Sequence, residues 1–235
     1  MKNFSTETLC VHGGYKANNG EPRILPIAQS TTYKYDSADE VAALFDLAAE
    51  GHMYSRISNP TVEAFEKKIA EYLYIGKAVA CQSGTAGLHL ALQLSGVEYG
   101  DEVIVPTLTF IAAVNPVRYV GAEPVFMDCD DTLNMDLDKL NEFCEKECII
   151  TSKGLINKVT KKVIKAIVIV HVFGNMTNME RLMEIAEKYK LKVVEDATEA
   201  LGTYYISGKY KGKFAGTIGD FGVYSFNGNK IITTG

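Results

Sequence analysis

The sequence predicts an α/β fold in which a mostly parallel β-sheet carries helices on both faces. From residue 77 onward, short apolar runs alternate with amphipathic helical patterns, the order expected of successive strand–helix units. Several runs are continuous Val/Ile stretches, as at residues 166–170, and such runs are typical of strands buried on both faces. The predicted strands cover residues 77–81, 102–105, 124–127, 163–172, 191–195 and 221–226.

The helices between these strands are predicted from apolar residues that recur at helical spacing. The helical pattern after Phe110 contains Pro116, and we expect a break there because proline lacks the backbone N–H that a helix interior needs. The other helices cover residues 84–96, 136–147 and 179–190.

The N-terminal part of the chain has a different organisation. A capping box at Ser37 and Glu40 predicts a helix that ends at Gly51, and a second helix is predicted to begin near Thr61. We therefore expect an N-terminal arm and helix over residues 1–60, followed by one large domain.

Composition argues against several classes of protein. A formal net charge of -5 and a pI near 5.5 do not suit nucleic-acid binding, which needs a concentrated basic surface. No apolar stretch approaches the roughly 20 residues of a membrane helix. The five cysteines are odd in number and scattered, and although Cys144 and Cys148 stand four apart on a predicted helix, no second Cys or His pair completes a metal site. We expect a cytoplasmic protein that holds no metal and contacts neither nucleic acid nor membrane.

Three short segments carry residues suited to chemistry, and each also has an ordinary structural interpretation. Ser83-Gly84-Thr85 opens a helix, whose free amides can bind phosphate, although serine is also a common N-cap. Asp196 ends a strand at the carboxyl edge of the sheet, where open α/β folds bind ligands, or it is a turn carboxylate. Lys230 is a nucleophile for carbonyl compounds if it is partly buried, or else a surface lysine.

Taken together and in this chain order, the segments resemble the DegT-type nucleotide-sugar aminotransferases, which use pyridoxal phosphate (PLP). The resemblance covers about residue 65 to the end. It is carried by Ser83-Gly-Thr-Ala-Gly-Leu-His-Leu-Ala-Leu92, His171-Val-Phe-Gly174, Glu195-Asp-Ala-Thr-Glu-Ala200 and Ser225-Phe-Asn-Gly-Asn-Lys230. It implies the large domain of a fold-type I PLP-dependent transferase, with PLP as cofactor.

The same resemblance assigns roles around the cofactor ring. Lys230 would hold PLP covalently and carry the proton between the substrate carbon and the cofactor, and Asp196 would pair with the ring nitrogen. Phe110 would lie on the ring face. Glu199 would stand beside the phenolic oxygen, where the family commonly has Gln or His, and its carboxylate would need a proton or a nearby cation.

Phosphate contacts are implied by two different families. From the DegT-type resemblance, Gly84, Thr85 and Ser225 would hold the PLP phosphate. The N-terminal segment, up to about residue 65, instead resembles O-acetylhomoserine sulfhydrylases and their γ-lyase relatives, in which residues matching Tyr54 and Arg56 reach the phosphate of the neighbouring subunit. The alternative for both is an ordinary place in the arm. This second resemblance is carried by Glu7-Thr-Leu-Cys-Val-His-Gly-Gly14, Pro26-Ile-Ala-Gln-Ser-Thr-Thr-Tyr33 and Tyr54-Ser-Arg-Ile-Ser-Asn-Pro-Thr61.

The sequence is therefore interpreted as a hybrid joined at about residues 62–72. The function implied is transamination by a homodimer, from an amino acid (glutamate is expected) to a keto-sugar nucleotide, with a dehydratase or epimerase as a variant. A sulfhydrylase or γ-lyase and an inactive fragment are the alternatives. Because the DegT family continues past the position of Gly235, we expect residues 61–235 to be an incomplete large domain, without its C-terminal small domain and inactive alone.

Overall fold

The computed structural model describes residues 14–234 together with Phe4, Ser5, Glu7, Thr8 and Cys10. Residues 9 and 11–13 of the first sulfhydrylase-like motif lie outside the described residues. The chain divides into two compact units, Met1–Ala80 and Cys81–Gly235, and each is considered by itself. The sequence predicts a boundary near residue 60, whereas the helix that follows residue 60 belongs to the first unit.

The first unit contains helices α1 (Ala38–Phe45) and α2 (Pro60–Leu73). The capping box predicted at the start of α1 is confirmed, because the Ser37 hydroxyl accepts the N–H of Glu40 and the Glu40 carboxylate accepts the N–H of Ser37. The predicted end at Gly51 is wrong: α1 stops at Phe45, and Leu47 has a left-handed φ of 55° that no helix can continue.

The second unit alternates strands and helices. In chain order its elements are α3 (Gly84–Leu94), β1 (Glu102–Pro106), the 3₁₀ turn Ile111–Ala113, α4 (Asn115–Tyr119), β2 (Glu123–Met127), α5 (Leu137–Lys146), β3 (Cys148–Thr151), β4 (Gly154–Asn157), β5 (Val163–Val170), the 3₁₀ turn Val172–Gly174, α6 (Met179–Tyr189), β6 (Lys192–Asp196) and β7 (Phe221–Val223).

Five strands form a parallel sheet in the order β2-β1-β5-β6-β7. The antiparallel hairpin β3–β4 joins this sheet at the first residues of β5, where Leu155 pairs with Ile164. The carboxyl ends of β1, β5, β6 and β7 therefore lie along one edge. This edge is where the strand-end residues of the candidate site are placed.

Each face of the sheet has its own hydrophobic core. On β5, Ile167 and Ile169 pack into one cluster with α5 and α6, whereas Val168 and Val170 pack into another with α3 and α4. This alternation follows from the two-residue period of a strand, and it explains why the β5 sequence is apolar at consecutive positions. The predicted α/β fold with helices on both faces is confirmed.

Several predicted elements differ from the observed ones. Residues 77–81 form no strand, and Val79 is 72% exposed, since a strand requires a hydrogen-bonded neighbour and none pairs with these residues in the described chain. The strand predicted over residues 221–226 ends at Val223 and pairs with β6 alone. Cys148 begins β3 rather than sharing a helix with Cys144, although both thiols are free and buried.

Pro116 interrupts the helical pattern as predicted. It occupies the first turn of α4, where its missing N–H is not needed, and the 3₁₀ turn Ile111–Ala113 precedes it.

Candidate active site at the carboxyl edge of the sheet

Asp196 is the last residue of β6 and its side chain is buried, with 5% of the residue exposed. Its Oδ1 atom accepts the backbone N–H of Thr198 at 3.1 Å. Burial raises the pKa of this carboxyl above its ordinary value, while the Thr198 hydrogen bonds and the charge of Lys230 act in the opposite direction. The site therefore contains a carboxylate that is short of compensating positive charge.

The start of α3 packs against the segment that follows β7. Ser83 caps the helix by accepting the N–H of Ala86 at 3.2 Å, which leaves the first amides of the helix pointing out of its end. A Cβ added to Gly84 would lie 3.4 Å from Ser225 Cβ and 3.4 Å from Thr198 Cγ2. The predicted phosphate cup, Ser225 and the turn after Asp196 thus meet in one place.

Lys230 lies at the same place. Its side chain is only 20% exposed, and its Nζ atom is 3.9 Å from Glu199 Oε1. The other carboxylate oxygen of Glu199 accepts the backbone N–H of Phe173 at 2.9 Å. The structure therefore brings Lys230, Glu199 and Asp196 together, and Glu199 has the nearby cation that its carboxylate requires.

Of the other predicted site residues, Phe110 is not joined to this group by any described contact, and Tyr54 and Arg56 are described within their own unit. Phe110 follows β1 at the same edge of the sheet, but its ring is 78% exposed. Tyr54 and Arg56 belong to the first unit, where the guanidinium carbon lies 5.2 Å from the centre of the Tyr54 ring. That cation–π contact is an ordinary feature of the arm and points to no ligand by itself.

A buried pair, His171 and Glu195, was not assigned any role from the sequence. Both residues are fully buried, and His171 Nε2 lies 2.9 Å from Glu195 Oε2. The Nδ1 atom of His171 accepts the N–H of Thr177 at 3.2 Å, so the ring proton is on Nε2. The Nε2–H group therefore donates a hydrogen bond to Glu195. Glu195 also accepts the N–H groups of Gly216, Ile218 and Gly219.

This pair supports the site without facing it. The four hydrogen bonds of Glu195 fix the loop before β7 and the turn after β5. Ser225 follows β7, and Phe173 lies within that turn. A sequence signal did exist, since a glutamate inside the apolar run 191–195 must find partners when the strand is buried.

A recess of about 590 Å³ lies beside the segment that follows the turn after β5, and Lys230 is not among its lining residues. Its lining includes the carboxylates of Asp130 and Glu180, which would repel a phosphate group. Among the described residues, no group of three or more His, Cys, Asp or Glu side chains is arranged to hold a metal ion. The part of the chain that is described contains no helix long and apolar enough to cross a membrane.

Comparison with known proteins gives a consistent match. Residues 36–235 match the DegT/DnrJ/EryC1/StrS aminotransferase family, so the match begins earlier than the residue 65 expected from the motifs. GDP-perosamine synthase of Escherichia coli O157:H7 is 43% identical over 175 residues, which are 74% of this chain and 42% of that enzyme. GDP-perosamine synthase of Caulobacter vibrioides is 45% identical over 172 residues, which are 73% of this chain and 41% of that enzyme.

Solved structures agree with the sequence matches. A DegT DnrJ EryC1 StrS aminotransferase from Brucella abortus superposes with a TM-score of 0.64 at 34% identity, over 81% of this chain and 47% of that one. The PLP form of a sugar aminotransferase, Spr1654 of Streptococcus pneumoniae, gives a TM-score of 0.63 at 29% identity, over 87% of this chain and 50% of that one. The chain spans about 40% of the length of these curated relatives.

Proposed function

Because the chain belongs to the DegT/DnrJ/EryC1/StrS aminotransferase family, we propose that it supplies the cofactor-binding part of a PLP-dependent sugar aminotransferase. The observation that carries the proposal is the meeting of Lys230, Asp196 and Ser225 with the start of α3 at one edge of the sheet. An amine, a buried carboxylate and a helix start are the groups that a phosphorylated, electrophilic pyridine ring requires.

The residues present fit PLP. Gly84 has no side chain where a Cβ would touch Ser225, so an anion can approach the helix amides closely. Gly84, Thr85 and Ser225 would hold the phosphate group by hydrogen bonds, strengthened by the positive end of the α3 dipole. Lys230 would hold the aldehyde carbon covalently through Nζ.

The ring contacts involve residues at or after the ends of two strands, β1 and β6. Asp196 would pair with the ring nitrogen, which supplies the compensating proton that this buried carboxylate lacks. Phe110 would cover one ring face, which would bury a side chain that is now 78% exposed. Glu199 would lie beside the phenolic oxygen and the Lys230 amine.

When bound, PLP supplies an electron sink for negative charge on the substrate carbon that bears the amino group. Asp196 would keep that sink effective by holding a proton on the ring nitrogen. Lys230 Nζ would take up and return the proton of the substrate carbon. Glu199 keeps Nζ close to this position by an ion pair when the amine is charged.

For the substrates we propose an amino-acid donor, with glutamate expected, and a keto-sugar nucleotide acceptor. The acceptor class is supported by relatives described as GDP-perosamine synthase and as UDP-N-acetyl-3-dehydro-alpha-D-glucosamine 3-aminotransferase. We further propose a cytoplasmic homodimer in which Tyr54 and Arg56 contact the phosphate of the partner subunit. This last point rests on the resemblance of the N-terminal segment to sulfhydrylases.

The test uses the complete enzyme that contains this chain. With PLP added, wild type should show the absorbance band of lysine-bound PLP, and Lys230→Ala should abolish it while the control Lys211→Ala, an exposed loop lysine, retains it. A band that survives in Lys230→Ala would assign the cofactor to another lysine. Formation of an amino-sugar nucleotide supports the proposal, whereas consumption of O-acetylhomoserine would favour the sulfhydrylase alternative.

A further inference from the structure

The turn that follows β5 has an unfavourable backbone conformation. Phe173 has φ 53° and ψ 24°, which is the left-handed region, and Gly174 follows with φ 81°. Glycine adopts this region freely, but for a residue with a Cβ it is disfavoured. Non-glycine residues in such conformations persist only where the surrounding structure holds them, and they are concentrated at functional sites.

The surrounding structure does hold this turn. The N–H of Phe173 donates to Glu199 Oε2 at 2.9 Å, and the side-chain amide of Asn175 donates to the carbonyl oxygen of Thr132 at 2.7 Å. Two residues earlier, His171 is fixed by its buried contact with Glu195. The backbone of Phe173 is therefore fixed on both sides.

The phenylalanine ring gains little from this arrangement, because 78% of Phe173 is exposed. A glycine would fit the turn without strain and would expose less apolar surface. Local folding therefore does not explain why an aromatic residue stands here. Its position does suggest a reason. Glu199 accepts the Phe173 N–H at Oε2, and its other oxygen, Oε1, lies 3.9 Å from Lys230 Nζ.

We propose that Phe173 is a specificity-determining residue whose ring packs against the apolar C–H face of the substrate's sugar ring. The proposal rests on the proposed function, in which the reacting carbon of the sugar must come close to Lys230. The part of a sugar nucleotide nearest Lys230 is then the sugar itself rather than the base, and a flat aromatic side chain buries its C–H face effectively. Glu199 is the positioning residue that keeps Phe173 in place.

The experiment compares variants of the complete PLP-loaded enzyme in its two half-reactions. Phe173→Leu removes the flat ring, and Phe173→Tyr keeps it. Phe173→Gly removes the ring and the strain together. The control is Tyr99→Leu, which alters a 91% exposed aromatic residue that precedes β1 and so lies toward the opposite edge of the sheet.

The expected result is specific to the sugar. Phe173→Leu should raise the KM for the sugar nucleotide about tenfold, as expected for loss of one buried aromatic contact. The half-reaction with the amino donor, followed by the absorbance of the bound cofactor, should change less than about twofold. Phe173→Tyr and Tyr99→Leu should retain the wild-type KM, and Phe173→Gly should raise KM without lowering the melting temperature.

Other outcomes would overturn the inference. An unchanged KM in Phe173→Leu would remove the ring from the substrate site. An equal loss in both half-reactions would show general damage, and a loss of the dimer with unchanged KM would assign the ring to a subunit contact. Failure of the proposed function looks different, because the wild-type enzyme itself would then form no amino-sugar nucleotide.

Discussion

Substitution of Glu195 by glutamine is the sharpest test of how the site is supported. The carboxylate accepts four hydrogen bonds, two at Oε1 from Ile218 and Gly219, and two at Oε2 from Gly216 and the His171 ring. A glutamine amide has one oxygen, so in either orientation its NH₂ group faces two donors. His171 cannot resolve the conflict by changing tautomer, because its Nδ1 already accepts an N–H from the backbone.

The magnitude follows from the number of donors that lose an acceptor. Each buried donor left without a partner costs about 1–3 kcal/mol, which gives roughly 2–6 kcal/mol for two. Removing one buried charge offsets part of this cost, so we expect about 2–4 kcal/mol. For a protein of this size that corresponds to a fall in melting temperature of about 4–16 °C. It is a large share of a typical domain stability of about 5–15 kcal/mol.

The assay is urea and thermal denaturation of Glu195→Gln, with Glu187→Gln as the matched control. Glu187 is an exposed residue of α6, so the same chemical change should cost less than about 0.5 kcal/mol there. If Glu195→Gln unfolds at the same denaturant concentration as the control, the loop before β7 does not depend on this carboxylate, and the reasoning is wrong.

Gly222→Ala should prevent folding of the second unit, because its Cβ would lie 2.6 Å from the carbonyl carbon of Gly216, whereas Gly228→Ala, with nothing within 4 Å, should fold and stay soluble. Asp196→Asn should raise the melting temperature of the PLP-free protein at neutral pH. Burial raises the pKa of Asp196, so the folded state binds the proton more tightly than the unfolded state does. Wild-type stability therefore falls as the pH rises through the raised pKa, and the higher melting temperature of Asp196→Asn should disappear in acid. Burial raises the pKa of the Cys144 and Cys148 thiols to about 12 and about 11. Thiol reagents should therefore label the exposed Cys10 and Cys81 rapidly, and should label Cys144 and Cys148 only on unfolding.

The sequence predicts the parallel strands well because strands buried on both faces consist of consecutive apolar residues. The caps of α1 and α2 are also local signals, since Ser37 and Asn59 lie within three residues of the amides that they accept. Asp196 ends β6 and Lys230 lies in the segment that follows β7, so both are expected at the same edge once the sheet is parallel.

What the sequence does not predict depends on distant partners. The strand expected at residues 77–81 is apolar enough, but a strand forms only beside a neighbour. The hairpin β3–β4 is short and carries polar residues, so its pattern is weak. The donors to Glu195 are 21 to 24 positions away in the sequence. The left-handed Phe173 donates its N–H to Glu199, 26 positions away.

Glu195 and Asp196 are neighbours in sequence, and the structure gives them opposite effects on stability. Glu195 is buried, and its carboxylate accepts four hydrogen bonds from groups within the fold. Asp196 is buried with too little positive charge around it, which raises its pKa and makes its ionised form unfavourable. The amide substitutions should therefore have opposite signs, with Glu195→Gln destabilising and Asp196→Asn stabilising the PLP-free protein.

This difference separates a supporting carboxylate from a functional one without any measurement of turnover. A group that the fold leaves uncompensated is a group that a ligand can compensate, and a protonated ring nitrogen is the partner that the site would accept at Asp196. Addition of PLP should accordingly stabilise wild type much more than Asp196→Asn in thermal melts. If PLP raised both melting temperatures equally, Asp196 would not be the residue that meets the ring nitrogen.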